Sequence, residues 1–322
     1  MGADPLLTVK GLKTYFYTSM GVVKAVDGVS LRVGRGSAVG IIGESGSGKT
    51  MTGLSILRLV PYPGRIVAGE VLLDGVDLLK LSEEEMRRIR GKRISIVFQD
   101  ALTSLNPVLT VGEQLAEPLM THLGLSRKEA YERATEILKR VGIPDASRRL
   151  TNYPHQFSGG MRQRVLIGMA ISCNPELLIA DEPTTALDVT TQKQIMDLFR
   201  ELMERMKMTL LLITHDIGVA AEVCDYIYVM YAGQIVEGGP TEQIISDPKH
   251  PYTRGLIESI PRGFKTEARA KPISGTVPSL LNLPTGCRFH PRCPLAMEKC
   301  RREEPDLIEL GDGRSVRCLL YE

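Results

Sequence analysis

Gly43-Glu44-Ser45-Gly46-Ser47-Gly48-Lys49-Thr50 has the residue types and spacing of a loop that holds phosphate. It follows an apolar run, Ser37 to Ile42, and opens a helical run, Met51 to Val60. Backbone N–H groups along Gly43, Ser45, Gly46 and Gly48 can then turn onto a β-phosphate at a helix N-terminus, where the helix dipole also favours an anion. Lys49 would bridge the β- and γ-phosphates and the Thr50 hydroxyl would bind Mg²⁺. A plain glycine-rich turn is the alternative, and the flanking strand and helix weigh against it.

Further along, Leu177-Leu178-Ile179-Ala180-Asp181-Glu182 is an apolar run ending in two acids. The C-terminal edge of a parallel strand is where nucleotides are met, so Asp181 is a candidate Mg²⁺ ligand and Glu182 a candidate for polarising the attacking water. Two acids opening a surface turn would look the same in isolation. Ser158-Gly159-Gly160-Met161-Arg162-Gln163-Arg164 opens another helix, either as a second anion site or as an ordinary N-cap. His215 follows the run Thr209 to Thr214 and is a candidate phosphate contact, although a lone His after an apolar strand is commonly structural.

Four of the six cysteines, Cys287, Cys293, Cys300 and Cys318, fall near the end of the chain, separated by residues 288–292, 294–299 and 301–317. Four thiolates need a compensating metal centre, and Arg288, Arg292, Lys299, Arg301 and Arg302 would offset its residual charge. Charge does not distinguish the metal, since Zn²⁺ and an oxidised four-iron cluster are both left at about −2. No pair has the tight spacing of a zinc knuckle, which fits a larger cluster better, with zinc and unligated or disulfide thiols as alternatives. Cys173 and Cys224 lie in apolar helical runs and read as core residues.

Positioning these groups calls for an α/β domain, and apolar runs of strand length do alternate with stretches of helical period. Ser37 to Ile42, Arg93 to Phe98, Leu177 to Asp181, Thr209 to Thr214 and Tyr226 to Tyr231 are short and nearly uninterrupted, as parallel strands buried on both faces are. Leu7 to Phe16, Ala25 to Val33 and Ile66 to Leu73 alternate and predict antiparallel strands of a separate small sheet, while Val111 to Val141 predicts a helical insert. Beyond Gly239, Thr241 to Ser246 and Tyr252 to Ile260 read as short helices and Pro261 to Pro284 as a connector.

The 322 residues include 40 Lys+Arg against 38 Asp+Glu, are 43% hydrophobic and contain no Trp, which excludes disordered, collagen-like and coiled-coil classes. A net charge of +2 and 5% aromatic residues supply neither the basic face nor the stacking platforms of a nucleic-acid binder, so no nucleic-acid partner is expected. No stretch approaches the ~18 apolar residues of a membrane span, because Leu210 to Tyr231 is broken by His215, Asp216, Glu222 and Asp225. Met1 to Lys10 lacks the apolar core of a secretory signal, and the chain is expected to stay in the cytosol.

In order along Leu6 to Gly239, the motifs resemble the ATP-binding cassette ATPases. They are the phosphate loop, Gln99 in Ile96-Val97-Phe98-Gln99-Asp100, Ser158-Gly159-Gly160, Asp181-Glu182, Ala186-Leu187-Asp188 and Thr214-His215-Asp216. The resemblance implies a P-loop NTPase domain with a helical subdomain at residues 100–173 and an antiparallel β subdomain. It implies ATP and Mg²⁺, with Gln99 contacting Mg²⁺ and the attacking water, His215 the γ-phosphate, Asp188 near the nucleotide, and Glu182 as general base. An aromatic residue near Phe16 would stack on adenine, with Tyr15 and Tyr17 as the other choices. Two chains would sandwich two ATPs head to tail, Ser158 and Gly160 of one binding the nucleotide held by Lys49 of the other.

The variant signature from Phe157 to Arg164, the stretch Ser104-Leu105-Asn106-Pro107, and His250-Pro251-Tyr252-Thr253-Arg254 with Ser259-Ile260-Pro261 are similar to the dipeptide/oligopeptide importer ATPases. This implies a nucleotide-binding domain at 1–240 and a Cys-rich extension at 241–322 whose four cysteines bind a [4Fe–4S] cluster, with zinc as runner-up. The implied partners are transmembrane permease subunits, a second ATPase subunit (itself or a paralogue) and, indirectly, an extracytoplasmic substrate-binding protein. The implied location is the cytoplasmic face of the membrane, with Ala101 to Pro107 touching the permease. Alternatives are a soluble ABC-type ATPase acting on nucleic acid or ribosomes, an importer subunit for oligosaccharides or metal complexes, and an iron–sulfur redox protein whose ATPase is secondary.

Overall fold

A computed structural model describes residues 5–185, 187–259 and 273–322. Ala186 of the Ala186-Leu187-Asp188 motif, Ile260, Pro261 and the first half of the expected connector lie outside the described residues.

In chain order the elements begin with β1 (Pro5–Thr18), β2 (Gly21–Gly34), β3 (Ala38–Ile42), α1 (Lys49–Ile56), β4 (Gly64–Leu73) and β5 (Val76–Asp77). There follow α2 (Glu83–Ile89), β6 (Ile94–Val97), α3 (Ala101–Ser104), α4 (Val111–Leu123), α5 (Arg127–Arg140), α6 (Ala146–Arg149), α7 (Gly159–Ile171), β7 (Leu177–Asp181) and α8 (Val189–Met206). The last are β8 (Thr209–Thr214), α9 (Ile217–Val223), β9 (Tyr226–Tyr231), β10 (Gln234–Pro240), α10 (Thr241–Ser246), α11 (Pro251–Glu258), β11 (Ile308–Glu309) and β12 (Ser315–Val316). They form two compact units, Met1–Leu79 with Leu212–Glu322, and Lys80–Leu211, and β8 runs across the chain position where one passes to the other.

The first unit holds an antiparallel sheet in the order β2-β1-β4-β5. Its apolar alternation sets the register, with Leu7 opposite Val33 and Val9 opposite both Leu31 and Val71. Its other strands run β11-β12-β10-β9-β3. There β3, buried along its length, pairs parallel with β9 (Ile41 opposite Tyr228), and β9 turns back antiparallel into β10 (Ile235 opposite Met230). The strands β10 to β12 are additions to the sequence reading. The residues after Gly239 return to this sheet, Glu237 pairing with Val316 and Ile308 with Val316 on its other side.

In the second unit β6 and β7 pair in parallel, Ile96 opposite Ile179. The helices are delimited by their own sequences: Ser82 with Glu85, Thr110 with Glu113 and Ser126 with Glu129 form capping boxes at the starts of α2, α4 and α5. Cys173 and Cys224 are buried, at 7% and 6% exposure, as expected for core thiols, and burial pushes the Cys224 thiol up to about 12.

Candidate functional site

The loop between β3 and α1 is glycine-dependent at two points. Gly43, at φ +156°, and Gly48, at φ +104°, run so close to neighbouring backbone that an added Cβ would lie 2.1 Å from the Met230 carbonyl and 2.2 Å from the Ala25 carbonyl. Gly48, which has no side chain, is the N-cap of α1, so no capping side chain occupies the helix start. Lys49 is 4% exposed, and its ammonium donates to the carbonyls of Gly43 (2.8 Å) and Glu44 (3.0 Å), curled back over the loop. Ser45, Gly46 and Thr50 are exposed. Backbone donors, a helix start and a charged amine are thus gathered as phosphate binding requires.

The second unit carries the acids. Asp181 closes β7 at 2% exposure. Glu182 follows in the left-handed conformation, at φ +45°, an uncommon state for a residue with a side chain and one that recurs at functional sites. Its carboxylate accepts the Thr185 hydroxyl at 3.0 Å. Gln99 is exposed just beyond β6.

Ser158 is the N-cap of α7, accepting from the Met161 N–H at 3.4 Å, and Asp188 is the N-cap of α8, accepting from the N–H (2.9 Å) and hydroxyl (2.6 Å) of Thr191. Those Thr191 bonds hold the Asp188 carboxyl below its ordinary value. Gly160 is required by packing, since a Cβ there would meet the Thr191 methyl at 2.6 Å. The starts of α7 and α8 are therefore held together, with Ser158 serving as a cap while its backbone neighbours stay accessible.

His215 is exposed at the turn between β8 and α9, where Asp216 caps the helix by accepting from Gly218 (2.8 Å) and Val219 (3.2 Å). Among the three aromatic candidates, the Tyr15 hydroxyl donates to Asp27 at 2.6 Å, Phe16 is half-buried and Tyr17 is 49% exposed. Tyr15 is thereby tied to the core of its own unit.

The C-terminal residues overturn one reading. Arg288 and Arg292 were expected to balance charge on the cysteines. Instead Arg288 pairs with the buried Asp27 and donates to the Ala232 carbonyl at 2.7 Å, and Arg292 grips Glu44 of the glycine loop at 2.7 and 3.0 Å. No local sequence signal marks these pairings, which join residues 261 and 248 positions apart.

The expected metal centre is not supported by the placement of the cysteines either. Among the described residues no group of three or more His, Cys, Asp or Glu side chains is placed to hold a metal ion, and all four tail cysteines are free thiols. Each of the four nonetheless has a backbone donor beside it. Backbone N–H groups of Phe289, Leu295 and Leu320 bond to Cys287, Cys293 and Cys318, and Met297 N–H reaches the Cys300 sulfur at 3.4 Å. Burial first, and then the proximity of Cys300, Cys318 and Cys293, pushes the Cys287 thiol up to about 11. Burial likewise raises the Cys293 and Cys318 thiols, with nearby cysteine sulfurs adding to the effect. Sulfur donors with N–H partners fit a thiolate-bound metal group chemically.

Residues 26–185 match the family described as ABC transporter, and residues 236–300 the family described as Oligopeptide/dipeptide transporter, C-terminal region. The Oligopeptide transport ATP-binding protein AppD of Bacillus subtilis (strain 168) is 49% identical over 98% of this chain and 97% of its own. The Dipeptide transport ATP-binding protein DppD of Escherichia coli (strain K12) is 48% identical over 97% of this chain and 96% of its own. A dimeric post-hydrolysis structure of the ATP-binding cassette MJ0796 bound to ADP and Pi is similar with a TM-score of 0.66 and 32% identity, covering 73% of this chain and 98% of that one.

Proposed function

Since the chain belongs to the ABC transporter ATPases, among the dipeptide/oligopeptide importer ATP-binding subunits, and hydrolyses ATP coupled to transport, we propose that it energises peptide uptake through separate transmembrane permease subunits. What carries this reading is the union, in one compact unit, of a phosphate-binding loop with a C-terminal region of the peptide-transporter type. No helix among the described residues is long and apolar enough to cross a membrane, and in this reading the translocation path is assigned to the permease subunits. Under this reading the subunit works at the cytoplasmic face of the membrane, fed by an extracytoplasmic substrate-binding protein. Residues 1–240 form the nucleotide-binding domain, with a helical subdomain at 100–173, and 241–322 its extension.

In the proposed reaction Lys49 exchanges its loop carbonyls for the β- and γ-phosphates, and the loop N–H groups of Gly43, Ser45, Gly46 and Gly48 hold the phosphate oxygens. Thr50, Asp181 and Gln99 are the hard oxygen donors that Mg²⁺ prefers. Glu182 takes the proton of the attacking water, and His215 contacts the γ-phosphate. With Tyr15 committed to Asp27, Phe16 and the exposed Tyr17 remain for adenine stacking, and Phe16 is the one assigned to it. A second copy or a paralogue supplies Ser158 and Gly160 to the same nucleotide, an arrangement supported by the dimeric MJ0796 cassette, and Asp188 lies beside them.

Permease contact is assigned to Ala101–Pro107. A cavity of about 350 Å³ in the same unit, lined by Phe98, Ser104, Pro118 and His122, is suited to receive a short helix from another chain. Cys287, Cys293, Cys300 and Cys318 would hold a [4Fe–4S] cluster, with zinc as the alternative. Such a group would cross-link four tail segments and can carry one electron. Anaerobic purification should then yield about four iron and four sulfide per chain, and a single zinc, or no metal, would reject it.

Co-purified permease subunits reconstituted into vesicles should take up peptides, not oligosaccharides, only with ATP. Uptake of sugars or metal complexes in place of peptides would overturn the substrate reading, and partners that are ribosomal or nucleic acid would overturn the importer.

A further inference from the structure

Glu44 is the first residue after Gly43 in the glycine loop, and every polar group it has is engaged. Its N–H donates to the Tyr252 hydroxyl (2.9 Å), and its carbonyl accepts from Ser47 N–H (3.2 Å) and the Lys49 ammonium (3.0 Å). Its two carboxylate oxygens accept from the two terminal nitrogens of Arg292 at 2.7 and 3.0 Å. Fork-to-fork pairing of this kind fixes orientation as well as distance.

Arg292 is itself immobilised. Its side chain is 4% exposed. Its Nε donates to the Ser274 carbonyl at 2.9 Å, and its guanidinium lies 5.8 Å from the ring centroid of Tyr231. Tyr252, fully buried, lies against Tyr231 and Phe289, with ring centroids 4.6 and 5.4 Å away. The partners of Glu44 thus belong to a rigid aromatic and guanidinium cluster built from β9, α11 and the segment between Cys287 and Cys293.

We infer that Arg292, assisted by Tyr252, is a positioning residue for nucleotide binding: the C-terminal region latches Glu44 and thereby holds the glycine loop in its phosphate-receiving shape. The inference rests on the reading of that loop as the ATP site. A loop containing Gly43, Gly46 and Gly48 is costly to order, and a latch that orders it beforehand removes that cost from the binding step. Because Arg292 directly precedes Cys293, whatever the tail cysteines hold is connected to the loop through one side chain.

The test is ATP affinity of the full-length chain by calorimetry, with steady-state ATPase alongside. Arg292→Ala should raise Kd and KM for ATP about tenfold while kcat at saturating ATP stays within about twofold, since Arg292 does not touch the reacting atoms. Arg292→Lys, which keeps charge but loses the fork, should fall between Ala and wild type. Glu44→Gln combined with Arg292→Ala should be no worse than Arg292→Ala alone, and the exchange Glu44→Arg with Arg292→Glu should recover part of the loss.

An Arg292→Ala affinity within twofold of wild type, or losses that simply add in the double variant, overturns the latch. If Arg292→Ala fails to fold, Arg292→Lys and Glu44→Gln decide by the same comparison, and wild-type affinity in both overturns it. Wild type that binds no ATP, or Lys49→Ala that binds as wild type does, fails the nucleotide site itself, a result separate from failure of the latch.

Discussion

Replacing Arg288 by alanine should destabilise the unit formed by Met1–Leu79 and Leu212–Glu322 by about 3–5 kcal/mol. The Arg288 side chain is 7% exposed and its partner carboxylate, on Asp27, 10% exposed. Burial alone would raise the Asp27 carboxyl, yet the hydrogen bonds from Tyr15 and Arg288 hold it below its ordinary value. Removing the guanidinium leaves that carboxylate with Tyr15 and a distant Lys13 at 3.9 Å, and strips the Ala232 carbonyl of a donor. A buried charge left without its partner is the dominant loss, and the orphaned carbonyl adds about 1 kcal/mol. At about 2–4 °C per kcal/mol for a unit of this size, the melting temperature should drop by roughly 6–20 °C. The assay is urea unfolding followed by circular dichroism, since the chain has no Trp to report. Asp27→Leu with Arg288→Met removes both charges and should restore most of the stability. A loss below about 1 kcal/mol for Arg288→Ala, or a double variant as unstable as the two single losses summed, would refute the argument from buried charge.

Glu182→Gln should keep ATP binding while turnover falls by about 100-fold or more, and full turnover would remove Glu182 from the role of general base. Thr103→Lys, placing charge in the exposed part of Ala101–Pro107, should leave ATP hydrolysis running while uptake in the reconstituted importer is lost; unchanged uptake would move the permease contact elsewhere. His250, 1% exposed and the N-cap of α11, is held neutral by burial, with its pKa down to about 3 from an ordinary 6.5. The unfolded chain therefore takes up a proton that the folded chain refuses, so the cost is absent above pH 6.5 and grows as pH falls, reaching roughly 2 kcal/mol at pH 5. His250→Asn keeps an acceptor for the Tyr252 N–H and does not titrate, so its stability should fall less between pH 7 and pH 5 than that of wild type. Parallel stability curves would show that His250 is not the titrating group.

Where the chain's chemistry is written locally, it could be read locally. The strands β7, β8 and β9 are uninterrupted apolar runs because both faces are covered, and their ends coincide with those expected at Leu177–Asp181, Thr209–Thr214 and Tyr226–Tyr231. The glycine loop declared itself through residues that only a phosphate-binding turn needs together. The hairpin strand β10 was missed because Gly238, Gly239 and Pro240 end it and mask its period, and β11 and β12 because two residues carry no period at all. The sequence around Ser158 suits a cap and an anion site equally, and its bond to Met161 makes it a cap without withdrawing the neighbouring backbone. Arg288 and Arg292 were placed with the wrong charges. Among five cations near four cysteines the nearest explanation was the cysteines, whereas the true partners, Asp27 and Glu44, lie at the other end of the chain.

That distance along the chain bears on synthesis. The loop residue Glu44 leaves the ribosome early, and Arg292, whose guanidinium holds its carboxylate, is 248 residues behind it. Met230 and Gly233, whose backbone abuts the loop, and Tyr252 are also late arrivals. Contacts this remote in sequence close slowly, and a chain still being translated has nothing with which to close them. A nascent product that has not yet reached Arg292 therefore exposes the glycine loop without its fastening, and full nucleotide affinity comes only once that late segment has folded back onto the loop.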